Sequence, residues 1–314
     1  MKIPRIYWNP DFDGPYLSPQ KNTVAPDAVT TPDFLYTKGE MVYYIGAVEA
    51  GRERIIRLSP SDTDLERPSP HLLSSASVVL NTGPYDFDCY HVYDPATILW
   101  NEKIYLFYSA IGKGSDSIGL AVSDNGREFT KMDHPVLTGR SPEVVYLNRQ
   151  WYLFYVLKSQ ELGYQIYLSI SEDCANFRPI SSDPVVSTGI PGSWDQYEVT
   201  TPRIFSRGGT YYMNYGGSQS PDRKDMPEAF GLARSDDLIH WEKYPHNPIF
   251  DKGMTGSWDD GAIWFGTVFE WNNHLYLFYE GERLIDMVDH TPALTRVGLA
   301  KISCTDFDLA LAGW

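Results

Sequence analysis

The chain has 314 residues, 14% of them aromatic, and carries a formal net charge of −15. The aromatic content excludes a disordered chain. The negative charge repels phosphate backbones and anionic head groups, so neither nucleic acid nor a membrane surface is expected as a partner. Three cysteines (Cys89, Cys174 and Cys304) lie far apart without the spacing of a disulfide framework or a zinc site, and no metal or cofactor is expected.

The N-terminal segment lacks the apolar core of a signal peptide, which makes a cytoplasmic location the expectation. Its RIYWNPDFDG resembles a later stretch, HNPIFDKG, and is expected to pair with the last repeat of the chain. A first hairpin is predicted in TPDFLYTKGEMVYYIGA from Thr31, followed by a third strand in RIIRLSPSDT from Arg54. The pattern returns in DPATILWNEKIYLFYSA from Asp94, then SIGLAVSDNG, then REFTKMDHPVL. A third copy runs through SPEVVYLNRQWYLFYVL from Ser141, QIYLSISEDC and NFRPISSDPVV. The fourth reads TPRIFSRGGTYYMNYGG from Thr201, AFGLARSDDL and HWEKYPHNPIF, and the fifth FGTVFEWNNHLYLFYEG from Phe265 and RVGLAKISCT. Short β-prone runs bounded by turn formers are strands. The anchors Pro32, Pro95, Pro142, Pro202 and Gly266 are 63, 47, 60 and 64 residues apart. Repeats of this size holding four strands are propeller blades, since one small sheet cannot bury both faces alone. The expected fold is all-β: a five-bladed β-propeller of four-stranded antiparallel blades, with residues 1–314 as one domain.

First strands of propeller blades line the central channel, so equivalent positions converge there. The residue before each anchor is Thr31, Asp94, Ser141, Thr201 or Phe265. Two positions on, the same face carries Asp33, Ala96, Glu143, Arg203 and Thr267 by strand alternation. Three positions before it stand Ala28, His91, Thr138, Glu198 and Ala262. One ring of acids with His91 and Arg203 is therefore expected at the mouth. Glu198 is an unrepeated acid, since the gapless blade-five copy of WDQYEVTTP has Ala262 in its place. The shared Gly-Ser-Trp-Asp of those two copies reads as a structural turn with a buried Trp. Asp33 and Glu143 are equally compatible with an ion pair to Arg203. Tyr93 and Trp264 are candidate stacking platforms for sugar rings, and Asp260 lies in a loop beside the mouth.

The aromatic second strand (YLFY), the IGLA-S-D third strand, the W-x-K…NP outer strand and the Asp94-Pro95 blade start resemble the five-bladed propeller glycoside hydrolases, a group that includes families 43, 32, 62, 68, 117 and 130. In families 43 and 32 the resemblance implies two Asp in Asp-Pro steps and a Glu just ahead of a proline. Here one Asp-Pro step stands at an anchor, and Glu198 lies four residues before Pro202. The resemblance implies a glycosidase, and the missing signal peptide favours a small oligosaccharide or glycoside, cleaved in exo fashion, as its partner molecule. Glu198 is then the general acid, Asp94 the base or nucleophile and Asp33 the third carboxylate. His91, Glu143, Arg203, Thr201, Ser141, Tyr93, Trp264 and Asp260 would bind substrate. Alternatives are a non-catalytic carbohydrate-binding propeller, or the same scaffold used for transglycosylation, phosphorolysis or a biosynthetic cyclisation.

Overall fold

In the computed structural model, which describes residues 6–10, 14–66, 72–159, 161–223, 225–287, 294–312 and 314, each sequence repeat forms one antiparallel sheet. Blade 1 comprises Ala28–Thr37, Glu40–Glu49, Arg52–Leu58 and Ser77–Leu80. Blade 2 is His91–Trp100, Lys103–Ile111 and Ser117–Ser123, with Thr130–Lys131 and Leu137–Thr138 both paired to its third strand. Blade 3 is Arg140–Leu147, Gln150–Lys158, Tyr164–Ser171 and Arg178–Pro179. Blade 4 is Glu198–Arg207, Thr210–Ser218 and Ala229–Ser235, edged by Glu242–Lys243 and Phe250–Asp251. Blade 5 is Ala262–Trp271, His274–Glu282 and Arg296–Ser303, completed by Asn9–Pro10 from the other end of the chain. The outer strands foreseen in REFTKMDHPVL, NFRPISSDPVV and HWEKYPHNPIF pair over only two residues at a stretch.

The second strands of blades 2, 3 and 5 read YLFY, with no polar alternation, because both of their faces are buried. Successive side chains point to opposite faces of a strand, and each face meets a different neighbouring blade. Tyr43 and Ile45 pack with Phe269 and Phe278 of blade 5, while Val42 and Tyr44 pack with Leu106 and Tyr108 of blade 2. The same alternation puts Phe107 against Trp151 and Leu153, Phe154 against Met213 and Tyr215, and Phe230 against Leu277 and Tyr279. Five cores thus join five blades in a closed ring. The N-terminal segment seals the fifth join as expected: Asn9 pairs with Lys301 and Pro10 with Ala300. Leu17 and Val297 then exchange backbone hydrogen bonds of 3.0 Å in both directions. Arg5 and residues 11–13 of the predicted pairing segment lie outside the described residues.

The longest of the elements not foreseen is a C-terminal helix. The last strand stops at Ser303, whose side chain caps a helix over Cys304–Leu311 by accepting from the Asp306 N–H at 3.0 Å. Cys304, Phe307 and Ala310 face the core between blades 4 and 5, and Arg207 clamps Asp308 through Nε at 2.6 Å.

Candidate active site

Every first strand carries a bulge at its anchor. Pairing with the second strand slips between Thr30 and Pro32, Tyr93 and Ala96, Arg140 and Glu143, Thr200 and Arg203, and Trp264 and Thr267. At each slip the residue before the anchor has a left-handed backbone: Thr31 (φ 22°), Asp94 (50°), Ser141 (53°), Thr201 (49°) and Phe265 (51°). Side chains other than glycine adopt this region at a cost, and such strain collects at functional sites. Proline at four anchors has no N–H to lose from the interrupted ladder. Gly266 stands at the fifth, where a Cβ would fall 2.0 Å from Asn214 Nδ2.

The bulges split the expected single ring into two layers, because the extra residue cancels the strand alternation used to build it. The inner layer is organised by Arg203. It donates to the carbonyls of Pro95 (3.0 Å) and Pro142 (2.9 Å), to Glu143 (3.1 Å) and to Thr267 Oγ1 (3.1 Å). Thr267 passes the link to the Pro32 carbonyl at 2.7 Å. Asp33 lies in the same layer and accepts from the Thr97 N–H (2.8 Å) and hydroxyl (2.5 Å). Burial raises the pKa of Asp33 and pushes Glu143 up to about 7, with Arg203 opposing both. The sequence leaves a choice between catalysis and ion pairing for Glu143 and Arg203; here they are paired to each other beneath the mouth.

Above this layer opens a cavity of about 720 Å³. Asp94, 2% exposed, is on its floor. Its carboxylate accepts from Thr31 (2.9 Å), Ser109 (2.8 Å) and Ser141 (3.4 Å). Beside it lies Glu280, whose Oε2 accepts from the backbone N–H of Thr31 (2.8 Å) and is also within 3.2 Å of the same Thr31 hydroxyl. Two carboxyl groups thus share one hydroxyl. Burial lifts Asp94 to about 6, opposed by Arg140, and lifts Glu280 to about 8, with the Asp94 charge adding to the rise. Glu282, Glu53, Asp222 and Asp225 line the same cavity. Arg140 is its one cationic lining residue among those described. It donates to the Tyr164 hydroxyl at 3.1 Å and lies over the Tyr93 and Tyr164 rings. Trp264 forms a wall, fixed by its Nε1–H to the Asp225 carbonyl at 2.9 Å.

Of the residues singled out in the sequence, Asp94, Tyr93 and Trp264 line the cavity, and Ser141 bonds to Asp94 from behind. Glu198 has no exposed surface. It sits in the wall, its Oε2 accepting the Tyr164 (3.2 Å) and Asp225 (3.4 Å) N–H groups, and burial pushes it up to about 7. Thr201 is buried with its hydroxyl unpartnered. His91 stands at the rim, its Nδ1 3.5 Å from Glu53. Thr138, aligned with Glu198 by register, belongs instead to an outer strand of blade 2. Asp260 caps two loops, accepting from Gly256 (2.7 Å) and Leu284 (2.9 Å), outside the cavity. The Trp of the repeated Trp-Asp turn, expected to be buried, is half-buried in both copies, while the Asp is buried. Trp194 and Trp258 fill the space over Gly217 and Gly281, and Asp195 and Asp259 accept from Tyr215 (3.3 Å) and Tyr279 (2.9 Å).

Glu280 was missed because only first strands were compared. Its counterparts in the other second strands are Gly46, Ser109, Val156 and Gly216, so it is the lone acid of that column. The column has a job: Ser109 accepts the Ser141 N–H (2.8 Å) as Glu280 accepts that of Thr31. Each satisfies a bulge amide of the next blade.

By its fold the chain is a five-bladed β-propeller of the architecture seen in glycoside hydrolases. No protein-family model and no curated protein matches the sequence. Among solved structures, it is similar to a protein from work on family 130 mannoside phosphorylases and the glycoside hydrolases among them that target β-1,2 mannosidic linkages in Candida mannan (TM-score 0.70, 14% identity, covering 95% of this chain and 94% of that one). It is also similar to a thermostable family-43 glycoside hydrolase (TM-score 0.62, 19% identity, 91% and 92% covered). A third likeness is to the family-32 β-fructofuranosidase of Bombyx mori (TM-score 0.60, 15% identity, 91% and 62% covered). At these identities the likeness is one of fold.

Proposed function

We propose that this chain is a glycoside hydrolase acting on a small saccharide in the mouth of the propeller, with Asp94 and Glu280 as its reacting carboxyl groups. The observation that carries the reading is their contact through Thr31 on the cavity floor, with one carboxyl group lifted to about 6 and the other to about 8. Two carboxyls whose environments separate their proton affinities are what acid/base cleavage of a glycosidic bond requires. Near neutral pH Glu280 holds its proton and serves as general acid to the leaving oxygen. Asp94 is ionised and acts as base or nucleophile. Trp264 and Tyr93 offer apolar faces for the sugar ring. Glu198, expected as the acid, is enclosed in the wall and takes a supporting place behind Arg140 and Asp225.

Hydrolysis is favoured over phosphorolysis, because phosphate needs converging cations and the one lining the cavity, Arg140, is engaged by Tyr164. A lectin-like propeller would repeat its site in each blade, whereas Asp94, Ser141, Thr201 and Phe265 differ from blade to blade. The test is a panel of aryl glycosides of arabinose, xylose, fructose, galactose and mannose. Asp94→Asn should abolish turnover, and Glu280→Gln should lower kcat by about 10²–10⁴-fold on poor leaving groups, far less on dinitrophenyl glycosides that need no proton. If Glu198→Gln shows that leaving-group signature and Glu280→Gln does not, the acid is Glu198.

A further inference from the structure

The cavity holds more negative groups than glycosidic cleavage uses. Glu282 is two residues from Glu280 on the same face of the second strand of blade 5, and it is only 5% exposed. Its Oε1 is buried with no hydrogen-bond partner, and its carboxylate makes no ion pair among the described residues. Arg296 opposes the Glu282 charge, but its ion pair is with Asp286, 3.7 Å away. A buried carboxylate oxygen without a donor is costly, so its partner is expected to come from outside the chain. Asp225 Oδ1, on the facing wall, is likewise buried and unpartnered.

We propose that the mouth is built for a glycoside carrying an ammonium group, such as an amino sugar, with Glu282 as its receiving carboxylate. The sugar part of this statement rests on the glycosidase reading; the charge part does not. A single metal ion does not fit, since no three Asp, Glu, His or Cys among the described residues close on one point. An extended organic cation suits dispersed acids better. Uronate, sulfate and phosphate substituents are disfavoured by Glu53, Asp94, Asp222, Asp225, Glu280 and Glu282 around the opening. A neutral hydroxyl would fill the hydrogen-bond vacancy at Glu282 but leave its charge opposed by Arg296 alone. An ammonium satisfies both, and charge-assisted bonds are about twice as strong as neutral ones. Trp264 adds a ring face beside the same opening, where a cation gains further.

The test is calorimetric binding of the methyl glycosides of glucosamine, galactosamine and mannosamine, each beside its N-acetyl and parent hydroxyl counterparts. At least one ammonium glycoside should bind about tenfold or more tighter than both neutral counterparts, a preference that added salt weakens. In Glu282→Gln that ratio should fall to within about threefold, with the neutral ligands reporting that the cavity is intact. A second readout is proton release. Burial, with Asp286 adding, lifts Glu282 to about 7. The groups facing it are Glu53, Asp94, Asp225, Glu280, Asp286, Arg140 and Arg296, so the incoming ammonium is the change that ionises it. Titrations in buffers of different ionisation enthalpy at about pH 6.5 should show protons leaving on binding. Equal or better binding of the neutral members, no binding by any ammonium member, or a preference that survives Glu282→Gln overturns the proposal. Failure of the catalytic reading looks different: ammonium preference persists while Asp94→Asn leaves hydrolysis untouched.

Discussion

Replacing Arg203 with methionine should remove the tie that holds all five bulges in place. The guanidinium is 2% exposed and donates to two anchor carbonyls, Glu143 and Thr267. Breaking a buried pair by deleting one partner costs about 3–5 kcal/mol. The Pro95 and Pro142 carbonyls lose their donor as well, at about 1–3 kcal/mol for each group left unsatisfied. These terms overlap, and a loss of about 4–6 kcal/mol is expected. Against a total stability of about 5–15 kcal/mol that is a large fraction. Urea unfolding followed by tryptophan fluorescence measures it. Arg203→Lys, which keeps the charge but loses the fork, should fall between the two and serves if the methionine variant does not fold. Glu143→Gln alone should cost less, because Gln keeps an acceptor for Arg203 and the Ile204 N–H, and Arg203 keeps its two carbonyl partners. Combined with Arg203→Met it should recover part of the loss by removing the orphaned charge. A methionine variant within about 1 kcal/mol of wild type would show that the bulges stand without this tie.

Three further outcomes follow from the same geometry. The pH–rate profile should be bell-shaped, rising as Asp94 ionises near 6 and falling as Glu280 loses its proton near 8; a profile flat from about pH 5 to 9 contradicts the assignment. Glu143, Glu198, Glu280 and Glu282 all have raised pKa values, so the folded state holds more protons than the unfolded one between the ordinary carboxylate value of 4.5 and about 8. Their contribution to stability is full below that window and is lost as pH rises through it, so Tm should be higher near pH 5 than near pH 8. Gly266→Ala should displace the Asn214 side chain, which donates to the Gly266 carbonyl at 2.6 Å, and cost about 1–3 kcal/mol in chemical unfolding.

The blades were legible because their second strands are aromatic on both faces. That pattern in Tyr105–Tyr108, Tyr152–Tyr155 and Tyr276–Tyr279 has few readings other than radial packing. Asp94 was legible because a lone Asp-Pro step at a repeated strand start is visible in one dimension. The layering of the site was not. Strand alternation places Asp33 and Thr31 on one side, and only a backbone that turns left-handed at Thr31 parts them. Five short polar or aromatic residues before an anchor do not announce that turn. Glu280 is visible in one dimension as well, as a solitary acid in a second-strand column otherwise made of Gly46, Ser109, Val156 and Gly216. The helix at Cys304–Leu311 is short and begins inside what reads as a continuing strand. Its burial of Phe307 depends on a core supplied by blade 4.

The seam between Asn9 and Lys301 has a consequence for how the molecule comes into being. Its partners are separated by nearly 300 residues, so the segment around Asn9 must wait, unpaired, until the strand at Lys301 is made. Long-range pairings of this kind slow folding. During synthesis the N-terminal arm and the Phe269–Phe278 side of the final sheet are both uncovered, a hazard for association between nascent chains. Production conditions that slow aggregation, such as low temperature or abundant chaperones, should therefore raise the soluble yield more than changes to any one blade.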